Sequence, residues 1–410
     1  MKKRSTLLLL ALSCLAPLLA VVAQSGPRAD RWKQVDDAVR KGLPKTAIER
    51  LEPIIKSAME DEAWAEAINA IGRRIALEGN IQGNKPEEKI TRMQAEVAKA
   101  PAEMKPVMHA VLAHWYWQYF QTNRYRFLQR SQTSQPPGKD FETWDLTRLF
   151  AEIDTQVVAA LSGVETLQKI PVGDFDAILV KGNVPDSYRP TLYDFLAHEA
   201  LAFYNSGERA AARSQDAFDL SADSPVFSDA QQFLAWKPES TDEDSPKLKA
   251  IQLYQALLKV HSDDDDRTAW LDADLLRLNF GYNMAFGEEK NARYKAALKR
   301  WAETYTDHPI SSRALHRLAT VVQGEGELVE AHKTATQGKN RFPDSVGGRR
   351  CHNLIEGIES PSIRITTERV WNNPLPTIDV RYKNLNKVFF RVVKYDWVKS
   401  LTKRGNRRPE

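Results

Sequence analysis

The side chains of this chain that could carry chemistry are few and widely spaced. His109 and His114 stand five residues apart on one helical stretch, which places them on poorly matched faces instead of on one ligand face. His198-Glu199 opens like the helix of a zinc protease, but the second histidine of that pair is missing. Asp263 to Asp266 puts four carboxylates in a row and could attract calcium. No glycine follows at the turn position and no glutamate closes a twelve-residue loop, so a solvated turn between helices accounts for it better. Cys351 reads as a small buried apolar residue before it reads as a nucleophile. A phosphate-binding glycine loop, a Gly-x-Ser-x-Gly nucleophile elbow and a dinucleotide fingerprint are all missing.

His114-Trp115-Tyr116-Trp117-Gln118-Tyr119-Phe120 is the densest aromatic run. Its rings occupy every side of a helix, as a stacking platform for bases or sugars could, but no basic surround accompanies them. Core packing on several faces explains the run better. The sequence therefore nominates no catalytic residue, no metal ligand and no cofactor site, and it predicts a protein that is not an enzyme. An enzyme would need His198, Glu199 or the Asp263 to Asp266 cluster to converge with other groups around a deep pocket.

The elements that would position these residues are mostly helices. Apolar residues recur at helical spacing from Arg31 onward, with Gly42-Leu43-Pro44 punctuating the first two segments and Pro44 suited to a first helical turn. Ala47, Leu51, Ile54 and Ala58 share one face of the second, and Trp64, Ala67, Ile68, Ile71 and Ile75 form the stripe of a third over 62–78. Further helices are expected over 86–100, after Pro106, over 146–161 and over 191–205. In the last, Glu199 falls at the edge of the apolar stripe. Ser131 to Asp140, with Pro136-Pro137-Gly138, reads as a linker. Ile170 to Pro190 is long and irregular, with room for short strands in Asp176 to Val180.

From Lys247 a repeat emerges. Tyr254, Leu258 and His261 recur as Trp301, Tyr305 and His308 at an offset of 47 residues. Two-helix units with aromatic and small residues at the seam resemble tetratricopeptide-type repeats, although that family's period is about 34. Such hairpins bury their faces by stacking on neighbours, as a solenoid does.

The 410 residues have room for two or three domains, and 27% charged with 42% hydrophobic residues is ordinary globular composition. Met1 to Ala23 reads as an export signal: a basic start, an apolar run of 16 residues from Leu7 to Val22, and Val21-Val22-Ala23 as the cleavage site. That run is shorter than the roughly 20 residues a spanning helix needs. A lipoprotein signal using Cys14 after Leu12-Ser13 is the competing reading, and would anchor the chain to a membrane. The net charge of +4 falls to +1 without Lys2, Lys3 and Arg4, which leaves no electrostatic footprint for nucleic acid. After cleavage at Ala23 Cys351 is the single cysteine, so no internal disulfide supports the exported chain.

Near Ser360 the period changes. Ile363 and Ile365, then Ile378, Val380 and Tyr382, then Val388, Phe390 and Val392 alternate with polar residues as strands do, and Asn372-Asn373-Pro374-Leu375-Pro376 separates the first run from the second. About three strands fit, and so small a sheet needs a cover for its apolar face. The expected fold is mainly α: a tetratricopeptide-like helical-repeat solenoid followed by a short incomplete β-sandwich segment. The expected divisions are a signal peptide over 1–23, an N-terminal helical region over 24–130, and a helical region with long irregular loops over 131–243. Helical hairpins follow over 244–359, and the first strands of a β domain over 360–410.

Three stretches carry a family resemblance: Lys41-Gly42-Leu43-Pro44-Lys45-Thr46-Ala47, Pro190 to His198 (Pro-Thr-Leu-Tyr-Asp-Phe-Leu-Ala-His), and Tyr382 to Arg391 (Tyr-Lys-Asn-Leu-Asn-Lys-Val-Phe-Phe-Arg). With them the chain resembles the amino-terminal portion of large bacterial alpha-2-macroglobulin-family proteins, over most of its length. The resemblance implies an exported, periplasmic or extracellular protease trap, in some members with a Cys-Glu thioester. Cys351-His352-Asn353-Leu354 departs from the Cys-x-Glu-Gln thioester motif, and no bait region is present. The expectation is therefore a non-catalytic scaffold of such an inhibitor, not inhibitory alone, whose partners are a target protease or another envelope protein. The alternative is a self-sufficient exported helical-repeat adaptor that binds envelope proteins or peptides.

Overall fold

The structure is a computed structural model that describes residues 27–83, 85–129, 141–182, 184–207, 217–368, 377–391 and 396. Its fold is mainly α, with one two-stranded antiparallel sheet near the C-terminus among the described residues. It forms two compact units, one ending at Ile310 and one beginning at Ser311. The expected signal segment, Cys14 and the Ser131 to Asp140 linker lie outside the described residues.

In the first unit, α1 (Ala29–Arg40), α2 (Pro44–Glu60) and α3 (Trp64–Ile81) are joined by turns of three residues. Gly42 takes the left-handed conformation the first turn requires, at φ +69°, and Pro44 then opens α2. Trp32, Val35 and Ala38 of α1 pack on Ala47, Leu51 and Ile54 of α2 and on Ala70 of α3. The Trp32 indole N–H donates to Glu66 at 2.7 Å, and Arg28 bonds the other oxygen of the same carboxylate. Then come α4 (Pro86–Lys99), α5 (Lys105–Thr122) and α6 (Arg124–Gln129). As the aromatic run predicts, α5 is buried on several sides, and Tyr116, Tyr119 and Phe120 are fully enclosed. α7 (Leu146–Ala160) begins under an Asp145 cap, where the Arg148 N–H donates at 2.8 Å, and α8 (Val164–Leu167) follows Gly163.

Ile170 to Pro190 corrects the expectation of strands. Asp176 to Val180 pairs with no strand among the described residues, and the N–H groups of Ile178 and Leu179 turn back to the Phe175 carbonyl. Two short 3-10 turns, Val172–Phe175 and Asp186–Tyr188, bury Val172, Phe175 and Tyr188 instead. The segment's ends are sewn together, with Val172 N–H donating to the Pro190 carbonyl and Leu192 N–H to the Ile170 carbonyl, both at 2.9 Å. This stitch brings the chain to the start of α9 (Leu192–Tyr204).

The unit continues through α10 (Ala230–Ala235), α11 (Pro246–Val260), α12 (Thr268–Met284) and α13 (Lys290–Thr304). The residues of the 47-residue offset occupy seams. Tyr254 of α11 packs on Phe280 of α12 at 5.6 Å, and Tyr305 at the end of α13 packs on Trp270 of α12 at 6.2 Å. α12 carries the fully buried Arg277, whose guanidinium donates to the Val226 and Ser228 carbonyls at 2.9 Å and to Asp274. Asp274 also accepts the Trp301 indole N–H at 2.9 Å, so this buried charge is paired and fully occupied.

The second unit opens with α14 (Ser311–Gly324), α15 (Leu328–Arg341) and α16 (Val346–Glu359), each packed on the other two. Close approach depends on glycine: a Cβ on Gly347 would lie 2.3 Å from the Arg313 nitrogen and 2.4 Å from the Ser312 carbonyl carbon. β1 (Ser362–Thr367) and β2 (Ile378–Lys383) pair with Ile363 opposite Tyr382 and Ile365 opposite Val380. A third strand does not form over 388–391, where the backbone is irregular and Phe389 and Phe390 are exposed; Val392 lies outside the described residues. Without a third ladder, those residues gain no sheet neighbour.

Gly347→Ala should destabilise the second unit by about 2 kcal/mol or more, because the added methyl meets backbone that cannot rotate away. Gly357→Ala, with open space around its Cα, should be neutral or gain up to about 1 kcal/mol. Urea denaturation of the two variants distinguishes these outcomes.

Candidate functional site

Three helices of the first unit each turn one stripe toward a shared cavity. α5 contributes Ala110, Ala113, His114 and Trp117, spaced i, i+3, i+4, i+7 along one face. α9 contributes Leu196, Glu199, Ala200 and Phe203 at the same spacing, and α7 adds Ile153, Val157 and Ala160. Four of these wall residues are alanines, which is why the helices leave a space there instead of closing it. The cleft measures about 530 Å³ with its mouth included, around an inner cavity of about 50 Å³.

Rings tie the walls together. Trp117 meets Phe203 edge to face at 5.8 Å and stacks on Phe150 of α7 at 6.1 Å, so α9 is held to α5 and α7 through one aromatic group. α9 is fixed at its start by a reciprocal cap. The Asp194 N–H donates to Thr191 Oγ1, and Thr191 N–H and Oγ1–H return bonds of 2.9 and 2.8 Å to Asp194 Oδ2. The other Asp194 oxygen bonds His261 Nε2 at 2.6 Å, and His261 Nδ1 bonds Asp264 at 2.6 Å.

The polar groups on the cavity wall are both held neutral near pH 7. Desolvation lowers His114 to about 4, so its imidazole is uncharged. Its Nε2 is buried and has no hydrogen-bond partner among the described residues. Desolvation pushes Glu199 up to about 8, with only the charge of Arg189 opposing it. His261 behaves differently. Burial lowers it most, but its hydrogen bonds and the charges of Asp194 and Asp264 together outweigh that and raise it above the ordinary value. Its contribution to stability is present in full below the unfolded imidazole range and is lost as pH rises through the raised value.

The residues weighed in the sequence are thus partly brought together and partly dispersed. His114 and Glu199 share the cavity. His109 bonds Gln156 at 2.7 Å, and His198 is buried on α9 outside the cavity lining. Within the Asp263 to Asp266 run, Asp264 holds His261 and Asp266 accepts the Thr268 N–H at 2.9 Å, while Asp263 and Asp265 are exposed. Cys351 is fully buried in the second unit, with its thiol pushed up to about 12 by desolvation. Among the described residues no group of three or more His, Cys, Asp or Glu side chains could hold a metal ion, and no helix is long and apolar enough to cross a membrane.

Sequence reasoning placed Glu199 at the stripe's edge and His114 in a packed aromatic run, and so missed the cavity between them. The available signal was the pairing of alanine with the polar residue on each wall, Ala113-His114 and Glu199-Ala200, each between apolar residues at helical spacing.

Because Glu199 stays protonated in the fold up to about 8 and ionises near 4.5 when unfolded, it makes stability fall as pH rises between those values. The slope is at most about 1.4 kcal/mol per pH unit. Glu199→Gln should remove that slope, so the variant gains on the parent steadily from pH 5 to pH 8 in paired denaturant titrations. Parallel curves would place the carboxyl in water.

The three stretches that carry the family resemblance all fall at junctions of the fold: the turn into α2, the cap of α9, and the end of β2. Comparison with protein-family models, with curated proteins and with solved structures finds no match, so the resemblance rests on those stretches alone.

Proposed function

We propose that this chain is a non-catalytic helical scaffold that carries the opening strands of a macroglobulin-like β domain, as in an exported bacterial protease trap, and that trapping itself needs more than this chain. The β1–β2 hairpin carries this reading. Its register puts Ile363, Ile365, Ile378, Val380 and Tyr382 on one face, and Ile363, Ile365, Ile378 and Tyr382 are largely exposed. A two-stranded sheet with one bare apolar face is marginal in water, and it gains stability from further β structure laid against it.

The hairpin is also rooted. Lys383 Nζ donates to the Gly357 carbonyl at 2.7 Å, and the Asn384 amide donates to the Ile358 and Glu359 carbonyls at 2.7 and 2.8 Å. Asn384 adopts φ +54°, a conformation asparagine tolerates, and so caps the end of α16 from outside. A scaffold that presents strands from a fixed position fits this arrangement. The helices supply the second support: successive helices of the first unit pack chiefly on their neighbours in sequence, as in repeat proteins that offer surfaces for docking. The envelope location follows from Met1 to Ala23 and the protein partners from the family resemblance.

Limited proteolysis by an endopeptidase, followed by mass spectrometry and by assay of the same protease on a large protein substrate, tests the proposal. The first cuts should fall after Ser360 while the helices persist, and the protease should keep its full activity. A tail protected as well as the helices would favour the self-sufficient adaptor. Inhibition, or a covalent adduct with the protease, would overturn the scaffold reading.

A further inference from the structure

We propose that the cavity between α5, α7 and α9 is a binding site for a small uncharged molecule with an apolar body of one ring or a short alkyl chain and a single oxygen that exchanges hydrogen bonds with His114 and Glu199. This site is independent of the scaffold role and is not needed for it.

Two observations converge on the class of ligand. The first is the shape and lining of the cleft. Its inner cavity of about 50 Å³ exceeds what one water needs but is well below the roughly 150 Å³ that encloses a benzene ring, so a ligand's polar head would enter it while a ring or short chain lies in the wider, solvent-open mouth. Apolar walls from Ile153, Val157 and Leu196, with Trp117 and Phe203, suit an apolar body. The second is the His114 Nε2 atom. A buried ring nitrogen without a partner is costly, and the neutral imidazole can either donate or accept once a ligand oxygen arrives.

Charge decides between ligand types. The surroundings that keep both wall groups neutral at pH 7 would impose the same desolvation cost on a charged ligand. A protonated Glu199 donates through its hydroxyl, so an alcohol, phenol or carbonyl oxygen finds a donor there and a second polar group at His114. An ammonium ligand would be held only by forcing Glu199 to ionise. Other candidate features lack this combination. The crevice near Lys181 and Arg189 is smaller, and Lys181 is already engaged by Asp176 and Asp186.

Phenol, toluene and benzylamine, titrated into the full chain by calorimetry at pH 7, test the proposal. Phenol should bind saturably with Kd of about 1 mM or tighter, and at least about 10-fold better than benzylamine. Ala200→Leu fills the cavity and should weaken phenol about 10-fold or more. Ala113→Val, a smaller change on the opposite wall, serves if the first variant is poorly folded, and should weaken phenol in the same direction. His114→Phe should reduce the preference for phenol over toluene by several-fold while toluene binding persists. Absence of saturable phenol binding, unchanged affinity in a folded cavity-filling variant, or tighter binding of benzylamine than of phenol would each overturn the assignment.

Discussion

The first unit depends on one buried carboxylate. Asp194 is almost wholly withdrawn from water, and its two oxygens are shared between the start of its own helix and the end of another. Burying a carboxylate is expensive unless each oxygen is occupied. Thr191 and His261 meet that requirement, and in doing so they fix where α9 begins and where α11 ends. The direction of α9 then determines where Leu196, Glu199, Ala200 and Phe203 project. The Ile170 to Pro190 connection, which has little regular structure of its own, is held in place by the same junction, since the Leu192 N–H bonds back to Ile170.

The two buried charge systems of this unit work by the same rule in different settings. Arg277 sits inside α12's surroundings with its donors spent on two carbonyls and on Asp274, and its plane lies over Phe233 at 4.7 Å. Removing any partner would leave a charge stranded. The cavity presents the opposite case, in which His114 Nε2 has no partner among the described residues and desolvation holds both wall groups neutral. A structural network and a binding cleft are thereby told apart by whether the polar atoms are fully engaged.

Much of the helical organisation was legible because periodicity and punctuation agree. Gly42-Leu43-Pro44 announces both the left-handed turn and the first turn of α2, and Ala47, Leu51 and Ile54 meet the core face they predict. The alternation at Ile363 and Ile378 likewise marks two real strands. Local pattern fails where the partner is distant. Asp176 to Val180 has strand-like composition but no edge to join, and Val388 to Phe390 alternates without a ladder to enter. The cavity fails for a related reason: alanine at positions 110, 113, 160 and 200 reads as good helix former on each helix separately, and becomes a void only when three helices face one another. Within one helix the sequence shows only alanine beside a polar residue, as at Ala113-His114 and Glu199-Ala200, and whether that opens a space depends on the facing helices.

The attachment of β2 to α16 has a mechanical consequence. Because Lys383 and Asn384 grip the carbonyls of Gly357, Ile358 and Glu359, the junction resists bending at the one place where a helix-to-strand connection would otherwise act as a hinge. Load applied along β2 is carried into the backbone of α16, and from there into α14, with which α16 packs closely through Gly347. The tail is thus joined to α16 twice, along the chain through β1 and across space through Lys383 and Asn384, as a bracket is fixed at two points.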